Sequence, residues 1–352
     1  MEPTDKTRPV LVTGATGYVA GWIVERLLAG GSHVHAAVRD PSNAEKLKYL
    51  NKLAQQTPGS IEYFASDLLE EGSYAESMKD CELVFHTASP FTRAVEDPRR
   101  ELVEPAQSGT RNVLEQANRT DSVRRIVVTS SCAAIYGDNA DIESAAGDRY
   151  TEDDWNTTSS LEHQPYSYSK TLAEREAWKI ARGQKRWDLI TINPSLVLGP
   201  GINPFATSES FSLIKQLGDG TMKTGVPDFR IGAVDVRDVA EAHVRAAVSP
   251  TASGRYIVSG HDTGFPEMAG ILRRHFGDDY PIPRQTLPKW LVWLMAPMVE
   301  KEMTRKMVNR NVGVPWRADN GKSVRELGMS YRPLEDSLVD MFQQMIDAGI
   351  LR

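Results

Sequence analysis

The stretch TGATGYVAG, residues 13–21, follows the apolar run of residues 10–12 near the start of this 352-residue chain. An apolar run that ends in a glycine turn and continues into helix-like sequence predicts a strand, a tight turn and a helix. Gly14 permits the turn, Gly17 leaves room for a pyrophosphate at the backbone, and Ala20 lets the helix pack closely on the strand. Free N–H groups at the helix N-terminus favour phosphate. We therefore predict a dinucleotide site, with GxxGxxA spacing rather than GxGxxG.

Strand-like and helix-like patterns alternate beyond this turn. Alternation of this kind indicates βαβ units and a parallel sheet covered by helices on both faces. The predicted fold class is α/β, a Rossmann doubly wound parallel sheet with a smaller, mainly helical C-terminal lobe for substrate. We assign residues 1–200 to the cofactor domain, with returning segments at about 230–262, and residues 201–229 and 263–352 to the substrate lobe.

Composition narrows the class of protein. The formal net charge is −6, whereas a nucleic-acid surface needs a basic excess. Two cysteines make no disulfide framework, and no signal-peptide core precedes the first strand, so we expect a cytoplasmic protein. The longest apolar run, residues 287–299, is too short for a membrane span, and we expect a buried helix or pocket wall. We expect a monomer or homodimer that acts on a small molecule.

The end of the second predicted strand bears on the choice of cofactor. Arg39 stands at the end of the predicted strand, and Lys46 lies near the start of the predicted helix that follows. An arginine fork and a lysine suit the 2′-phosphate of NADP(H), whereas Asp40 is able to bind a ribose instead. We expect NADP(H). Asp67, after the next strand, is a candidate to accept a hydrogen bond from the adenine amino group, or else a helix N-cap.

Tyr166 and Lys170 open a helix and lie four residues apart, so they share one face, whereas Tyr168 points elsewhere. A free tyrosine has a pKa of about 10, and a neighbouring ammonium group lowers it. Upstream, the apolar run of residues 126–129 ends in Ser130 and Ser131. Because ligands bind beyond the carboxyl ends of parallel strands, these hydroxyls are expected to face the cofactor and a substrate oxygen. The combination predicts proton transfer during hydride exchange.

Taken together, the motifs resemble the extended short-chain dehydrogenases/reductases of the NAD-dependent epimerase/dehydratase superfamily. Within it the chain is most similar to the dihydroflavonol reductase, cinnamoyl-CoA reductase and yeast methylglyoxal/aldehyde reductase group. The matching pieces cover the first 200 residues densely and extend past residue 250. They are VTGATGYVAGWIVERLL, AAVRDPSNAEK, VFHTASP, GTRNVLEQA, RIVVTSSCAA, YSYSKTLAEREAW, TINPSLVLGPG, GAVDVRDVAEAHVRA and GRYIVSG.

The resemblance implies reduction of an aldehyde or ketone to an alcohol with NADPH. It implies Ser131, Tyr166 and Lys170 as catalytic residues, with Asn112 as a possible fourth position that acts through water and Lys170. The cofactor residues expected from the motifs and the resemblance together are Gly14, Thr16, Gly17, Tyr18, Val19, Arg39, Lys46, Asp67, Leu68, Thr87, Ala88, Ser89, Tyr166, Lys170, Pro194 and Val197.

One position departs from the family pattern. Flavonoid reductases carry a substrate-contacting Asn five residues beyond the catalytic serine, where this chain has Tyr136. We therefore expect a carbonyl substrate with an apolar or aromatic part other than a flavonoid. The candidate substrate residues are Phe91, Ser131, Tyr136, Ile202, Phe205 and Phe211.

Three other functions stay open at this point. Residues 135–137, Ile-Tyr-Gly, resemble the VYG of nucleotide-sugar epimerases and dehydratases with bound NAD. A 3β-hydroxysteroid dehydrogenase-like enzyme with NAD is a second, related function. A non-catalytic NADP-binding regulator is the third, although such proteins often lose the Tyr/Lys pair. The seven histidines show no HExxH or Cys/His spacing, so we expect no metal.

Overall fold

The computed structural model describes residues 8–89, 95–299 and 303–352. Its strands and helices alternate as the sequence pattern predicts. In chain order they are β1 (Val10–Thr13), α1 (Tyr18–Ala29), β2 (His33–Val38), α2 (Ala44–Gln56), β3 (Ser60–Ala65), α3 (Ala75–Met78), β4 (Leu83–His86), α4 (Glu104–Arg119), β5 (Arg125–Thr129), α5 (Pro165–Arg182), β6 (Asp188–Pro194), β7 (Leu196–Leu198), α6 (Glu209–Gly218), β8 (Val226–Pro227), β9 (Arg230–Asp235), α7 (Val236–Val248), β10 (Gly254–Val258), β11 (His261–Gly264), α8 (Phe265–Phe276), β12 (Thr286–Leu287), α9 (Lys289–Val299), α10 (Arg305–Asn311), α11 (Gly321–Leu327) and α12 (Leu334–Asp347).

A seven-stranded sheet in the order β10-β6-β5-β4-β1-β2-β3 forms the centre of the larger lobe. All of its strand pairs are parallel. Helices α1, α2 and α7 pack on one face, and α3, α4 and α5 pack on the other. The chain reverses its direction of winding between β1 and β4, which are neighbours, and this switch point is where such sheets bind ligands. The predicted doubly wound fold is confirmed.

The smaller lobe combines short strands with the C-terminal helices. A three-stranded sheet has the order β11-β9-β7, and β12 pairs with β8. Helices α6, α8 and α12 enclose an apolar core around Phe342, Met341 and Leu338, all three fully buried. Of residues 230–262, α7 and β10 belong with the large sheet, whereas β9 and β11 belong to the small one.

Helix α9 differs from its expected environment. Val292 and Ala296 are buried against α10, whereas Trp290 is 67% exposed and Met298 is 88% exposed. The prediction of a buried helix was wrong for this second face, because apolar composition alone does not say how many sides of a helix find packing partners. Within residues 8–89, 95–299 and 303–352, we find no helix long and apolar enough to cross a membrane.

A buried arginine joins the sheet to the helix layer. Arg125 opens β5 and is only 2% exposed. Its guanidinium donates hydrogen bonds to the carbonyl oxygens of Ala246 (3.0 Å) and Ser249 (2.5 Å) at the C-terminal end of α7, and to the Asp188 carboxylate (3.4 Å). A cation at this end of a helix binds carbonyl groups that have no partner within the helix.

Replacement of this arginine tests the contact. We expect Arg125→Met to lower the free energy of unfolding by about 2 kcal/mol, because buried carbonyl oxygens lose a charged donor. Arg124→Met is the matched control, since the neighbouring side chain is exposed. Urea unfolding followed by circular dichroism measures both variants. Equal stability of the two would show that the Arg125 contacts contribute nothing.

Candidate active site

The carboxyl ends of β1 and β4 are held together by Thr13. Its hydroxyl accepts hydrogen bonds from the backbone N–H groups of Thr87 and Ala88, both at 3.1 Å. The next residue, Gly14, has φ +63°, and a Cβ there would lie 3.1 Å from the Cα of Ala88. The glycine turn therefore needs glycine for both conformation and space.

A cleft runs along the glycine turn at the start of α1. Gly17 is the N-cap of α1 and has no side chain to cap the helix, so the first N–H groups stay available to a phosphate. Thr16 and Lys46 line this cleft with the turn, and their contact with a cofactor stays a prediction. Ile202, a predicted substrate residue, lines the same cleft and lies against Gly21.

The side chains of Tyr18 and Trp22 hold the segment after β7 over this cleft. The Tyr18 hydroxyl donates to the Gly199 carbonyl (2.5 Å), and Trp22 Nε1 donates to the Pro200 carbonyl (2.8 Å). The Tyr18 side chain is therefore engaged, and only its backbone N–H is left to bind a phosphate. The Val19 side chain packs against the core of the larger lobe. Burial and the nearby Asp235 charge raise the pKa of Tyr18, so its phenol stays protonated as the donor.

The residues that follow β2 and β3 include the charged side chains Arg39, Asp40 and Asp67, which bear on the choice between NADP(H) and NAD. Arg39 is exposed, and it has no hydrogen-bond or ion-pair partner among the described residues. Asp40 Oδ1 instead accepts from the Ser42 hydroxyl (2.6 Å) and backbone N–H (2.9 Å), which lower the pKa of Asp40. Asp67 likewise accepts from the backbone N–H of Leu69 (2.8 Å). Asp40 is used within its own turn, whereas Arg39 is free to bind an anion.

Asn112 does not reach Lys170 in this structure. Its side-chain amide donates to the Leu68 carbonyl (3.0 Å), and so α4 supports the loop after β3. Leu68 itself packs against Gly109, where a Cβ would lie 2.4 Å from its Cγ. The geometry assigns Asn112 to positioning of this loop, and a role through water and Lys170 stays a prediction.

The two serines after β5 have different environments. Ser130 is 7% exposed, and its hydroxyl donates to the buried carboxylate of Glu174 at 2.5 Å. Ser131 is partly exposed, and its hydroxyl accepts from the backbone N–H of Ala133 (3.1 Å). The Ser131 hydroxyl therefore keeps its own hydrogen for a ligand, which sequence spacing alone does not show.

Helix α5 brings the predicted phenol and ammonium groups to the same edge of the sheet. Lys170 Nζ donates to the Ser89 hydroxyl just after β4 (2.9 Å) and lies 5.6 Å from the centre of the Tyr166 ring. Thr171 donates to the Ala133 carbonyl at 3.4 Å, which ties the helix to the turn after Ser131. Tyr166 is 47% exposed. Lys170 and Tyr166 thus lie side by side at the edge where Ser89 follows β4 and Ser131 follows β5, and their joint role stays a prediction.

The positive charge of Lys170 also acts on the base of the site. Burial, and then Lys170, lower the pKa of His86 to about 3, so this imidazole is neutral. His86 Nδ1 lies 3.0 Å from the Thr13 hydroxyl, which already accepts two N–H groups. The single hydroxyl hydrogen of Thr13 therefore points to Nδ1.

The predicted substrate residues are placed unevenly. Tyr136 stacks on Tyr150 at 4.8 Å, and Phe211 is 6% exposed with its ring against Tyr18. Both rings are used in packing, and we leave them out of the proposed substrate pocket. Phe205 is 55% exposed. Phe91 lies outside the described residues. Pro194, the last residue of β6, is buried, and Val197 of β7 packs against the core of the larger lobe.

Asp138 is a buried residue at this site that the sequence analysis missed. Its carboxylate accepts from His163 Nε2 (2.8 Å), Gln164 Nε2 (3.0 Å), Asn311 Nδ2 (2.7 Å) and Arg310 Nε (2.6 Å). Burial alone would raise the pKa of Asp138, but these hydrogen bonds hold it below its usual range. No sequence pattern connects it with partners that follow more than 170 residues later in the chain.

This network connects the smaller lobe to α5. Arg310 and Asn311 end α10, whereas Gln164 has φ +56° and directly precedes α5. Tyr166 is the second residue of that helix. The buried carboxylate therefore fixes the start of α5 relative to α10, and with it the backbone that carries the candidate phenol.

Comparisons with known proteins find relatives over most of the chain. The model of the NAD dependent epimerase/dehydratase family matches residues 10–259. The cinnamoyl-CoA reductase CAD2 of Medicago truncatula is 34% identical over 96% of this chain and 95% of its own length. The anthocyanidin reductase of Arabidopsis thaliana is 35% identical over 77% of this chain and 81% of its own. The structure of yeast methylglyoxal/isovaleraldehyde reductase Gre2, complexed with NADPH, superposes with a TM-score of 0.77 at 26% identity, covering 97% and 99% of the two chains.

Asp138→Asn tests the network. We expect the free energy of unfolding to fall by about 2–3 kcal/mol at neutral pH. The substitution removes the negative charge of the carboxylate, and its buried hydrogen-bond donors keep no charged acceptor. A folded-state pKa below the unfolded value of about 3.9 stabilises above that pH, and the contribution is lost as the pH falls through the folded pKa. The difference from wild type should therefore shrink in denaturation curves between pH 5 and pH 2. The exposed Asp153→Asn should show neither effect.

Proposed function

Since the chain belongs to the NAD dependent epimerase/dehydratase family, we propose that it reduces an aldehyde or ketone carbonyl to the alcohol with NADPH. Its relatives named above are reductases, and the chain is an NADP(H)-dependent oxidoreductase. The single observation that carries the finer proposal is the arrangement at the carboxyl edge of the sheet. There Lys170 Nζ donates to Ser89 and Tyr166 lies beside it. The Ser131 hydroxyl accepts from Ala133 and donates to no acceptor among the described residues, whereas Ser130 donates to Glu174.

In the proposed reaction the residues of this chain handle the substrate oxygen and its proton. NADPH supplies the hydride when bound. The Ser131 hydroxyl donates a hydrogen bond to the carbonyl oxygen, and the Tyr166 phenol donates the proton that this oxygen takes up. Lys170 stabilises the phenolate that remains, because an ammonium group favours the charged form. In the reverse direction Tyr166 accepts the proton.

The described residues fit NADP(H). Gly17 presents a helix N-terminus without a capping side chain, and Thr16 lines the cleft beside it. Lys46 lines the cleft, and Arg39 has no hydrogen-bond or ion-pair partner among the described residues, so both positive charges suit the 2′-phosphate. The alternative with NAD depends on a carboxylate for the ribose, and one oxygen of Asp40 already accepts both hydrogen bonds from Ser42. Asp67 and Leu68 would lie near the adenine.

For the substrate we propose a small or medium carbonyl compound with an apolar or aromatic part. Its oxygen would lie between Ser131 and Tyr166, and exposed Phe205 is a candidate for the apolar part. Tyr136 stands where flavonoid reductases have their substrate-contacting Asn, and its ring stacks on Tyr150. We therefore propose a substrate other than a flavonoid.

Paired substitutions test the catalytic assignment. We expect Tyr166→Phe to lower kcat/KM at least about 100-fold, because the general acid is lost. Ser131→Ala should lower kcat about 100-fold, because the donor to the substrate oxygen is lost. NADPH absorbance at 340 nm with a panel of aldehydes and ketones measures the rates.

Tyr168→Phe and Ser130→Ala are the matched controls. Each changes a residue of the same type as the tested one, two positions from Tyr166 and one position from Ser131. Tyr168→Phe should keep near wild-type rates. Ser130→Ala should lower stability by about 1 kcal/mol and change kcat far less than Ser131→Ala. A fully active Tyr166→Phe enzyme would exclude the proposed acid.

Arg39→Ala tests the cofactor assignment separately. We expect kcat/KM for NADPH to fall about 10- to 100-fold, because one charged contact to a phosphate is lost, with NADH little affected. The ratio of the two efficiencies, measured with one substrate, is the readout. An unchanged ratio would contradict the role of Arg39.

A further inference from the structure

Two histidines and a carboxylate meet at the opposite end of the sheet from the candidate active site. His33 and His35 lie two residues apart on β2, so both side chains project from the same face of the strand. Glu62 of β3 pairs with His35 in the parallel register. His-x-His on a strand differs from the HExxH and Cys/His spacings that are typical of zinc sites, so sequence spacing alone predicted no metal.

The three side chains are close enough to share one ion. One ligand atom from each lies within 4.8 Å of those of the other two. His33 Nε2 is 3.7 Å from Glu62 Oε2, and the two imidazole rings are edge to face with centres 5.1 Å apart. The side chains of His33 and Glu62 are 38% and 58% exposed, so both have room to move inward.

Hydrogen bonds to the protein leave the second nitrogen of each ring available. His35 Nδ1 lies 2.9 Å from the Ser77 carbonyl, which only accepts, so Nδ1 carries the hydrogen and Nε2 has the lone pair. His33 Nδ1 lies 2.7 Å from the Ser60 hydroxyl, and its Nε2 faces Glu62. Histidines that bind metal usually have one nitrogen held by an oxygen of the protein in this way.

We propose that His33, His35 and Glu62 form a binding site for a divalent transition-metal ion of the Zn²⁺ class. Two imidazole nitrogens and one carboxylate oxygen suit Zn²⁺ better than Ca²⁺ or Mg²⁺, which prefer oxygen alone. Cys81 Sγ lies 3.5 Å from His35 Nδ1, the nitrogen that faces the Ser77 carbonyl, so the sulfur contacts the side of the ring that is not offered to the ion.

The position of the site implies a structural effect. β3 is the edge strand of the large sheet, and an ion held by both β2 and β3 would join that edge to its neighbour. Arg39 follows the far end of β2, so the ion would not touch the candidate catalytic residues. Because an ion that binds only the folded chain stabilises it, the proposed site predicts a higher melting temperature with metal.

Zn²⁺ binding to untagged, chelator-treated protein tests the site. Calorimetry should show one Zn²⁺ per chain, and Zn²⁺ at a hundredfold excess over Kd should raise Tm by about 3 °C. His33→Ala and Glu62→Gln, both at partly exposed positions, should each weaken binding at least tenfold and reduce the rise in Tm. Their melting temperatures without metal should match wild type, which shows that the fold is intact.

His275→Ala is the matched control, because His275 forms an exposed pair with Glu335 in the smaller lobe. It should bind Zn²⁺ as wild type does. Failure of wild type to bind Zn²⁺, or binding that His33→Ala leaves unchanged, would overturn the proposal. Neither readout depends on reductase activity, so the outcome is independent of the proposed function.

Discussion

The Thr13 hydroxyl fixes the point at which the two halves of the large sheet diverge. It accepts from the N–H groups of Thr87 and Ala88, while the Thr87 hydroxyl donates back to the Thr13 carbonyl at 2.5 Å. These bonds keep the end of β4 against the glycine turn, where Gly14 leaves no room for a side chain. Ser89, the partner of Lys170, follows directly. A shift at this junction would move the phosphate cradle and the ammonium group relative to each other.

A buried carboxylate organises the other side of the site. Glu174 of α5 is 2% exposed and accepts hydrogen bonds from Ser130, Asn193 and Thr191. Arg255 of β10 provides the opposite charge at 2.7 Å. Because these partners lie in or beside β5, β6 and β10, one side chain orients α5 on three neighbouring strands. Because burial removes both charges from water, an ion pair of this kind adds little to net stability, whereas loss of one partner is costly.

Asp138 does the same for the smaller lobe. It receives donors from α10 and from the residues that precede α5, so the lobe that we expect to bind substrate is joined to the helix that carries Tyr166. Glu174 and Asp138 thus hold α5 from two directions. The candidate acid is exposed at 47%, but the backbone beneath it is fixed by buried charges.

Local and periodic features of the sequence determined the glycine turn, the alternating strands and helices, the parallel sheet and the shared face of Tyr166 and Lys170. Each depends on spacings within one element, which steric and helical geometry set directly. Only the tertiary structure decided that Ser130 donates to Glu174 whereas Ser131 accepts from Ala133, that Asp40 Oδ1 accepts from Ser42, and that Phe211 is a packing residue. It alone revealed Asp138 and the exposed face of α9. The physical reason is that burial and hydrogen-bond partners depend on residues far apart in the chain, such as Ser130 and Glu174, whose separation of 44 residues no local pattern encodes.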